Sequence, residues 1–233
     1  MRNLSSAWTQ FSSSTLAGLV LGVGLSLSQY VFAESTEDEA SSNSPSALPL
    51  YKQLEGYQSF SADFKLVSTD DRYEVLASQT GRVKFVRPDY FLWVVDPPDE
   101  QVISVQIKQV TVYDPLLEQV SYMNLADLSG ADIHSILMDP SQLNSSQYSV
   151  SRAGSSYSIK SSSEQSLFNE INISFDGEVL RNIKVFDQLG GQSLFEFLNV
   201  EVNEPIDAEE FEVAIPDGVD VVGEKLSEQD ELD

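Results

Sequence analysis

Over most of its length the chain alternates apolar and polar residues with a period of two. Phe60, Ala62, Phe64 and Leu66 alternate with Ser61, Asp63 and Lys65, Val83 and Phe85 with Arg82 and Lys84, and Ile171, Ile173 and Phe175 with Asn172 and Ser174. Such alternation puts one set of side chains on each face of a strand, so these segments predict strands with one wet face. Val110 with Val112, Tyr157 with Ile159, Val179 to Phe186 and Leu194 to Val202 extend the series, and Asp176-Gly177 and Gly190-Gly191 supply hairpin turns. Two stretches follow a helical period instead. Leu50, Leu54 and Tyr57 sit at i, i+4 and i+7, and Leu125 with Leu128, then Ile133 with Ile136 and Leu137, predict short helices divided at Ser129-Gly130. Helices of this length cannot stand alone and must lie on the sheet. The expected architecture is mainly β, a single curved antiparallel sheet with a helical cover.

The two ends follow neither period. Leu16 to Leu27 is an apolar run after a Ser-rich start that carries Arg2, and no acid appears before Glu34. Val31-Phe32-Ala33 then offers a small residue before the break, so residues 1–33 are expected to be an export segment cleaved after Ala33. The apolar run is shorter than the ~20 residues of a spanning helix. Residues 34–46 are acidic and Ser-rich and are expected to be a disordered leader. Residues 223–233 are expected to be a solvated acidic tail, leaving one folded domain over residues 47–222.

Charge and composition narrow the function. The 233 residues include 37 Asp and Glu, 13 Lys and Arg, one His and no Cys, a formal charge of −24. Binding to nucleic acid or to an anionic lipid surface needs basic patches, which this balance excludes. Without Cys there is no disulfide, thiolate nucleophile, Cys-ligated zinc or lipid attached through an N-terminal Cys. Export without cysteine fits a bacterial periplasm. Enzyme constellations are poor. Gly191-Gln192-Ser193-Leu194-Phe195 lacks the closing Gly of a nucleophile elbow and precedes a strand. Asp70-Asp71 and Glu209-Glu210 are adjacent pairs whose side chains would diverge in a strand. Asp176-Gly177-Glu178 lacks the ligand ladder of a calcium loop. His134, among Ile133, Ile136 and Leu137, reads as a packed or surface residue. No cofactor and no metal is expected.

In Tyr90-Phe91-Leu92-Trp93-Val94-Val95 both parities are apolar, so this strand must be covered on both faces. A sheet curled around helices either fills its concave side with side chains or leaves an apolar hollow for a ligand, and the pattern leaves both open. Arg87, held extended by Pro88, shares the parity of Phe85, Phe91 and Trp93. It either snorkels at the sheet rim or turns inward, where it must find carbonyl or carboxylate partners. Carbonyls at the ends of the short helices are the available acceptors.

Four segments in one order then resemble a known family. They are Gly81-Arg82-Val83-Lys84-Phe85-Val86-Arg87-Pro88-Asp89-Tyr90-Phe91-Leu92-Trp93, then Pro98-Asp99-Glu100, then Tyr113-Asp114-Pro115-Leu116-Leu117-Glu118-Gln119, and finally Phe211-Glu212-Val213-Ala214-Ile215-Pro216-Asp217-Gly218-Val219. Together they are similar to the outer-membrane lipoprotein carrier (LolA) family, over about residues 47–222. The resemblance implies an incomplete antiparallel β-barrel covered by short α-helices forming a lid, around an apolar cavity for acyl chains. It implies a monomeric periplasmic chaperone, not an enzyme, that takes outer-membrane lipoproteins from the inner-membrane LolCDE transporter to the outer-membrane receptor LolB. Arg87 matches the family's lid-latching arginine. Phe85, Phe91 and Trp93 would contact the acyl chains, and Leu125, Leu128, Ile133, Ile136 and Leu137 would form the lid. Two departures stand out. Gln106-Ile107 replaces the family's frequent Asp-Gly turn, and His134 falls where a lid aromatic can stand. The rival readings are a paralogue that binds another lipid or glycolipid or senses lipoproteins, and a filled β-domain that serves as an interaction module.

Overall fold

The computed structural model describes residues 47–125, 133–144, 146–163, 166 and 168–226. The expected export segment with its expected cleavage point, the expected leader, Leu128, the Ser129-Gly130 division and residues 227–233 lie outside the described residues.

Helix α1 (Ala47–Glu55) opens the domain. Six strands follow: β1 (Ser59–Thr69), β2 (Val75–Val86), β3 (Tyr90–Val95), β4 (Gln101–Gln106), β5 (Gln109–Asp114) and β6 (Gln119–Asn124). Helix α2 (Ile133–Met138) and a 3-10 turn at Pro140–Asn144 lead into β7 (Tyr148–Ala153), β8 (Ser156–Ser161), β9 (Phe168–Asp176), β10 (Val179–Asp187) and β11 (Gln192–Val202). A second 3-10 turn at Ala208–Phe211 precedes the short β12 (Asp220–Val222). The twelve strands among the described residues form one open sheet in the order β12-β6-β5-β4-β3-β2-β1-β11-β10-β9-β8-β7. Its pairs are antiparallel except β12, which joins β6 in parallel, and with β12 and β7 left as edges the sheet does not close on itself.

The sheet must curl. From β2 to β7 the order takes six steps, about 29 Å if the sheet were flat at ~4.8 Å per step. Helix α1, only about 13 Å long at 1.5 Å per residue, packs against β7 and also accepts a hydrogen bond through Leu54 from Arg87, just past the end of β2. The alternating residues predicted to face inward do so. Phe60, Phe64, Leu66, Val83, Phe85, Ile171, Ile173 and Phe175 are buried in one cluster with Leu50 and Leu54 of α1 and Ile136 and Leu137 of α2. Gly81, in β2, has a physical reason to be glycine. A Cβ there would lie 1.9 Å from the Val94 carbonyl oxygen and 2.7 Å from the Phe64 ring, which crosses the vacant position to stack on Trp93.

The outer face of β3 and β4 carries a second, smaller cover. Phe211 is fully buried against Tyr90, with ring centroids 5.3 Å apart, and its carbonyl accepts hydrogen bonds from Ser104 Oγ (2.6 Å) and Gln106 Nε2 (3.0 Å). Lys84 and Glu210 form an ion pair beside it. This explains the doubly apolar β3: Phe91 and Val95 face the main core, Tyr90 the C-terminal segment. Two acidic pairs expected on strands lie elsewhere. Asp70-Asp71 sits in the β1–β2 turn, where Asp70 Oδ1 accepts from the amides of Arg72 and Glu74, and Glu209-Glu210 belongs to the second 3-10 turn. Turn amides that find no strand partner are satisfied by such carboxylates, which is why acids collect there.

Candidate ligand site: Arg87 and the covered aromatic face

The concave face is aromatic because the inward parity of its central strands is. Phe60 stacks on Phe85 (centroids 5.4 Å apart) and meets Phe197 edge-on, while Trp93 stacks on Phe64 (3.9 Å) and meets Phe195 edge-on. Cross-strand pairing aligns these rings, since Phe60, Phe85 and Phe91 share one rung and Ala62, Val83 and Trp93 the next. Phe85 and Phe91 are buried, and Trp93 is partly exposed.

Arg87 turns inward at the end of this face. Its guanidinium lies 5.4 Å from the Phe85 ring centroid. Nη1 donates to the Leu54 carbonyl of α1 (2.7 Å), Nε donates to the Leu137 carbonyl of α2 (2.9 Å), and Nη2 donates to the same Leu137 oxygen. Both acceptors lie in the last turns of their helices, where carbonyls have no helical partner. Burial pulls the Arg87 pKa down to about 10 against the opposing pull of Glu55 and Asp139, so the group stays protonated at neutral pH. One planar fork therefore joins two helices that share no backbone ladder.

The two helices are held very differently. Gln53 Nε2 donates to the Gly177 carbonyl (3.1 Å), and Tyr57 OH donates to the Glu178 carbonyl and accepts from the Leu180 amide (3.0 Å). Asn203 closes the end of α1, its Nδ2 donating to the Gly56 carbonyl (2.9 Å) and its Oδ1 accepting from the Gln58 amide (2.7 Å). Helix α2 lies over Phe91 through His134, whose ring meets it edge-on at 4.9 Å. Its exit is shaped by Asp139, which accepts from the Ser141 amide (3.1 Å) and hydroxyl. The Ser141 hydroxyl is the main reason the Asp139 carboxyl sits below its ordinary range.

Of the other residues singled out from the sequence, Ile136 and Leu137 are buried under α2, and Leu125 packs against the core just after β6. Ile133 begins α2. At Gln106-Ile107 the hairpin places Ile107 at φ +57°, and its amide donates to the Asp89 carbonyl (2.7 Å). Sequence reasoning missed Phe60, Phe64, Phe195 and Phe197 as members of the aromatic face. Their shared inward parity was a usable signal. The two carbonyl partners of Arg87 carry no side-chain signature at all. Among the described residues no cluster of His, Asp and Glu is placed to hold a metal ion, and no helix is long and apolar enough to cross a membrane.

Comparison with known proteins adds a family. The family model described as "Outer membrane lipoprotein carrier protein LolA" matches residues 55–214. An outer-membrane lipoprotein carrier protein of Shewanella sp. (strain ANA-3) is 30% identical over 183 residues, covering 78% of this chain and 89% of the relative. The protein of the same description from Hahella chejuensis is 32% identical over 177 residues, covering 73% and 85%. Among solved structures, the Pseudomonas aeruginosa MucA/MucB complex is similar at a TM-score of 0.47 and 14% identity, covering 72% of this chain and 61% of that one.

Proposed function

This chain belongs to the outer-membrane lipoprotein carrier (LolA) family, and from that premise we propose that it is a periplasmic carrier that shields the acyl chains of outer-membrane lipoproteins against the aromatic face beneath α1 and α2. Its donor is the inner-membrane LolCDE transporter and its acceptor the outer-membrane receptor LolB. The observation that carries the reading is the Arg87 fork, which fastens both helices over Phe85, Phe91 and Trp93 by hydrogen bonds to carbonyls alone. A fastening of this kind is reversible. Water can replace it, and no side chain is left buried and unpaired when it opens.

The energetics suit a carrier. A chain of ~14 methylenes gains up to ~11 kcal/mol on leaving water, at ~0.8 kcal/mol per methylene. Affinity of that size would trap cargo. A closed state held by Arg87 must be broken when cargo binds, and this offsets part of the gain and leaves room for a receptor to remove the cargo. The charge of −24 keeps the loaded carrier from settling on anionic membrane surfaces.

The test is release from spheroplasts. The purified exported protein is added, and the medium is assayed for a 1:1 complex with a triacylated lipoprotein, which is then presented to the outer-membrane receptor. Transfer supports the reading. A protein that binds free fatty acid but releases no lipoprotein is a lipid-binding paralogue, and one that binds neither has a filled core.

A further inference from the structure

The concave face is not apolar throughout. At one end of β4, β5 and β6 the inward parity passes to polar side chains, for Gln101 pairs with the inward Val95 and Asp114 pairs with Gln119. The next rung runs Trp93, Ile103, Val112, Ser121. Gln119 Nε2 donates to Ser121 Oγ (3.1 Å), and Asp114 is occupied with its own turn, its Oδ1 accepting from the amides of Leu116 and Leu117 (3.0 Å each). Gln101, Gln119 and Ser121 are all partly exposed. Beside them Trp93, Val112 and Met123 are the inward apolar residues of this half that pack on the core while remaining partly exposed. A solvent-reachable apolar stretch thus ends on neutral donors and acceptors.

We propose that Gln101, Gln119 and Ser121 form a head-group subsite for the ester and amide carbonyls that join acyl chains to their cargo, with the chains running from it over Val112, Met123 and Trp93. This rests on the carrier reading above and names where in the concave face the polar end of the cargo lies. The chemistry selects the occupant. Amide NH2 and hydroxyl groups donate to carbonyl oxygens without requiring charge. An anionic phosphate head would face two carboxylates paired with Gln119, Asp114 on β5 and Asp220 on β12, so phospholipid is disfavoured. A head with no polar atoms would leave the glutamines' hydrogen-bonding groups desolvated and unpaired.

The experiment uses the full exported protein and two probes: N-phenyl-1-naphthylamine, which has neither ester nor amide, and a synthetic diacylglyceryl lipopeptide that displaces it. The double variant Gln101→Leu/Gln119→Leu keeps side-chain size and removes the donors. It is expected to bind the naphthylamine as the parent does and the lipopeptide about tenfold more weakly, the loss of two hydrogen bonds of ordinary strength. Gln119→Glu, which adds a charge and barely changes shape, is expected to weaken the lipopeptide with naphthylamine binding again unchanged. Lipopeptide affinity within twofold of the parent in both variants overturns the subsite and leaves the carrier reading standing. A parent that binds neither probe overturns the carrier reading and the subsite with it. Phosphatidic acid displacing the naphthylamine as well as the lipopeptide does overturns the choice of a neutral head.

Discussion

Replacing Arg87 with Leu tests the fastening of the two helices, and its consequence is asymmetric. The Leu54 carbonyl keeps a second donor, the Tyr57 amide at 3.1 Å, and α1 keeps its bonds to Gly177, Glu178, Leu180 and Asn203. The Leu137 carbonyl loses both Nε and Nη2 of Arg87. Hydrogen bonds from a charged donor contribute about 1.5–3 kcal/mol each. Desolvation of the guanidinium, visible in its lowered pKa, offsets part of this. A net loss of about 2–3 kcal/mol at α2 raises its open population roughly 30- to 150-fold, at tenfold per 1.4 kcal/mol. The assay is native-state hydrogen exchange at the Asp139 amide, which donates to the Ser135 carbonyl at 2.8 Å across the last turn of α2. A parallel readout is acrylamide quenching of Trp93, since the sequence has two tryptophans and the other, Trp8, falls in the expected export segment, which the exported protein would lack. Arg87→Lys should give an intermediate result, because a compact ammonium cannot span two helices as the fork does. The reasoning is refuted if Arg87→Leu leaves exchange at Asp139 within threefold of the parent in a protein whose melting temperature is unchanged.

Three further outcomes are expected. Gly81→Ala pushes a methyl into the Val94 carbonyl and the Phe64 ring and should cost about 3 kcal/mol or more by urea denaturation, with Trp93 fluorescence altered as its stack on Phe64 is displaced. Ile107→Gly should raise stability by about 1 kcal/mol, because a β-branched residue at φ +57° is strained and glycine is not, and an unchanged or lower melting temperature would contradict this. Asp139→Ala should cost about 1 kcal/mol at neutral pH by removing the acceptor for Ser141. The Asp139 pKa is lowered from 3.8, so its contribution is fully present above that value and is lost as pH falls through the still lower folded pKa. The difference between parent and variant, followed by thermal melts, should therefore shrink in that acidic window and stay constant from pH 5 to 8.

The period-two alternation was legible because one-sided burial writes itself onto every second residue. Phe60 to Leu66 and Ile171 to Phe175 needed no tertiary information to be placed inward. The pattern alone leaves Arg87 open between rim and interior, since parity points a side chain at a face without saying how far the face curls. The same holds for Asp70-Asp71 and Glu209-Glu210, where strand pattern stopped and turn chemistry took over. The three-residue β12 and the cover supplied by Phe211 left no periodic trace. One is too short to show alternation, and the other binds mainly through a single ring and a backbone carbonyl.

The sequence by itself determined a mainly β chain with one wet face, two stretches of short helix that had to lie on the sheet, and an arginine on the aromatic parity. Those properties are local, set by side-chain chemistry at fixed spacing. Only the tertiary structure decided that the sheet stays open with β12 and β7 at its edges, that β1 pairs with both β2 and β11, and that Leu54 and Leu137 bring their carbonyls to one guanidinium. Backbone groups are identical at every residue, so which carbonyl meets which donor is encoded by the path of the chain and not by the identity of the residue that bears it.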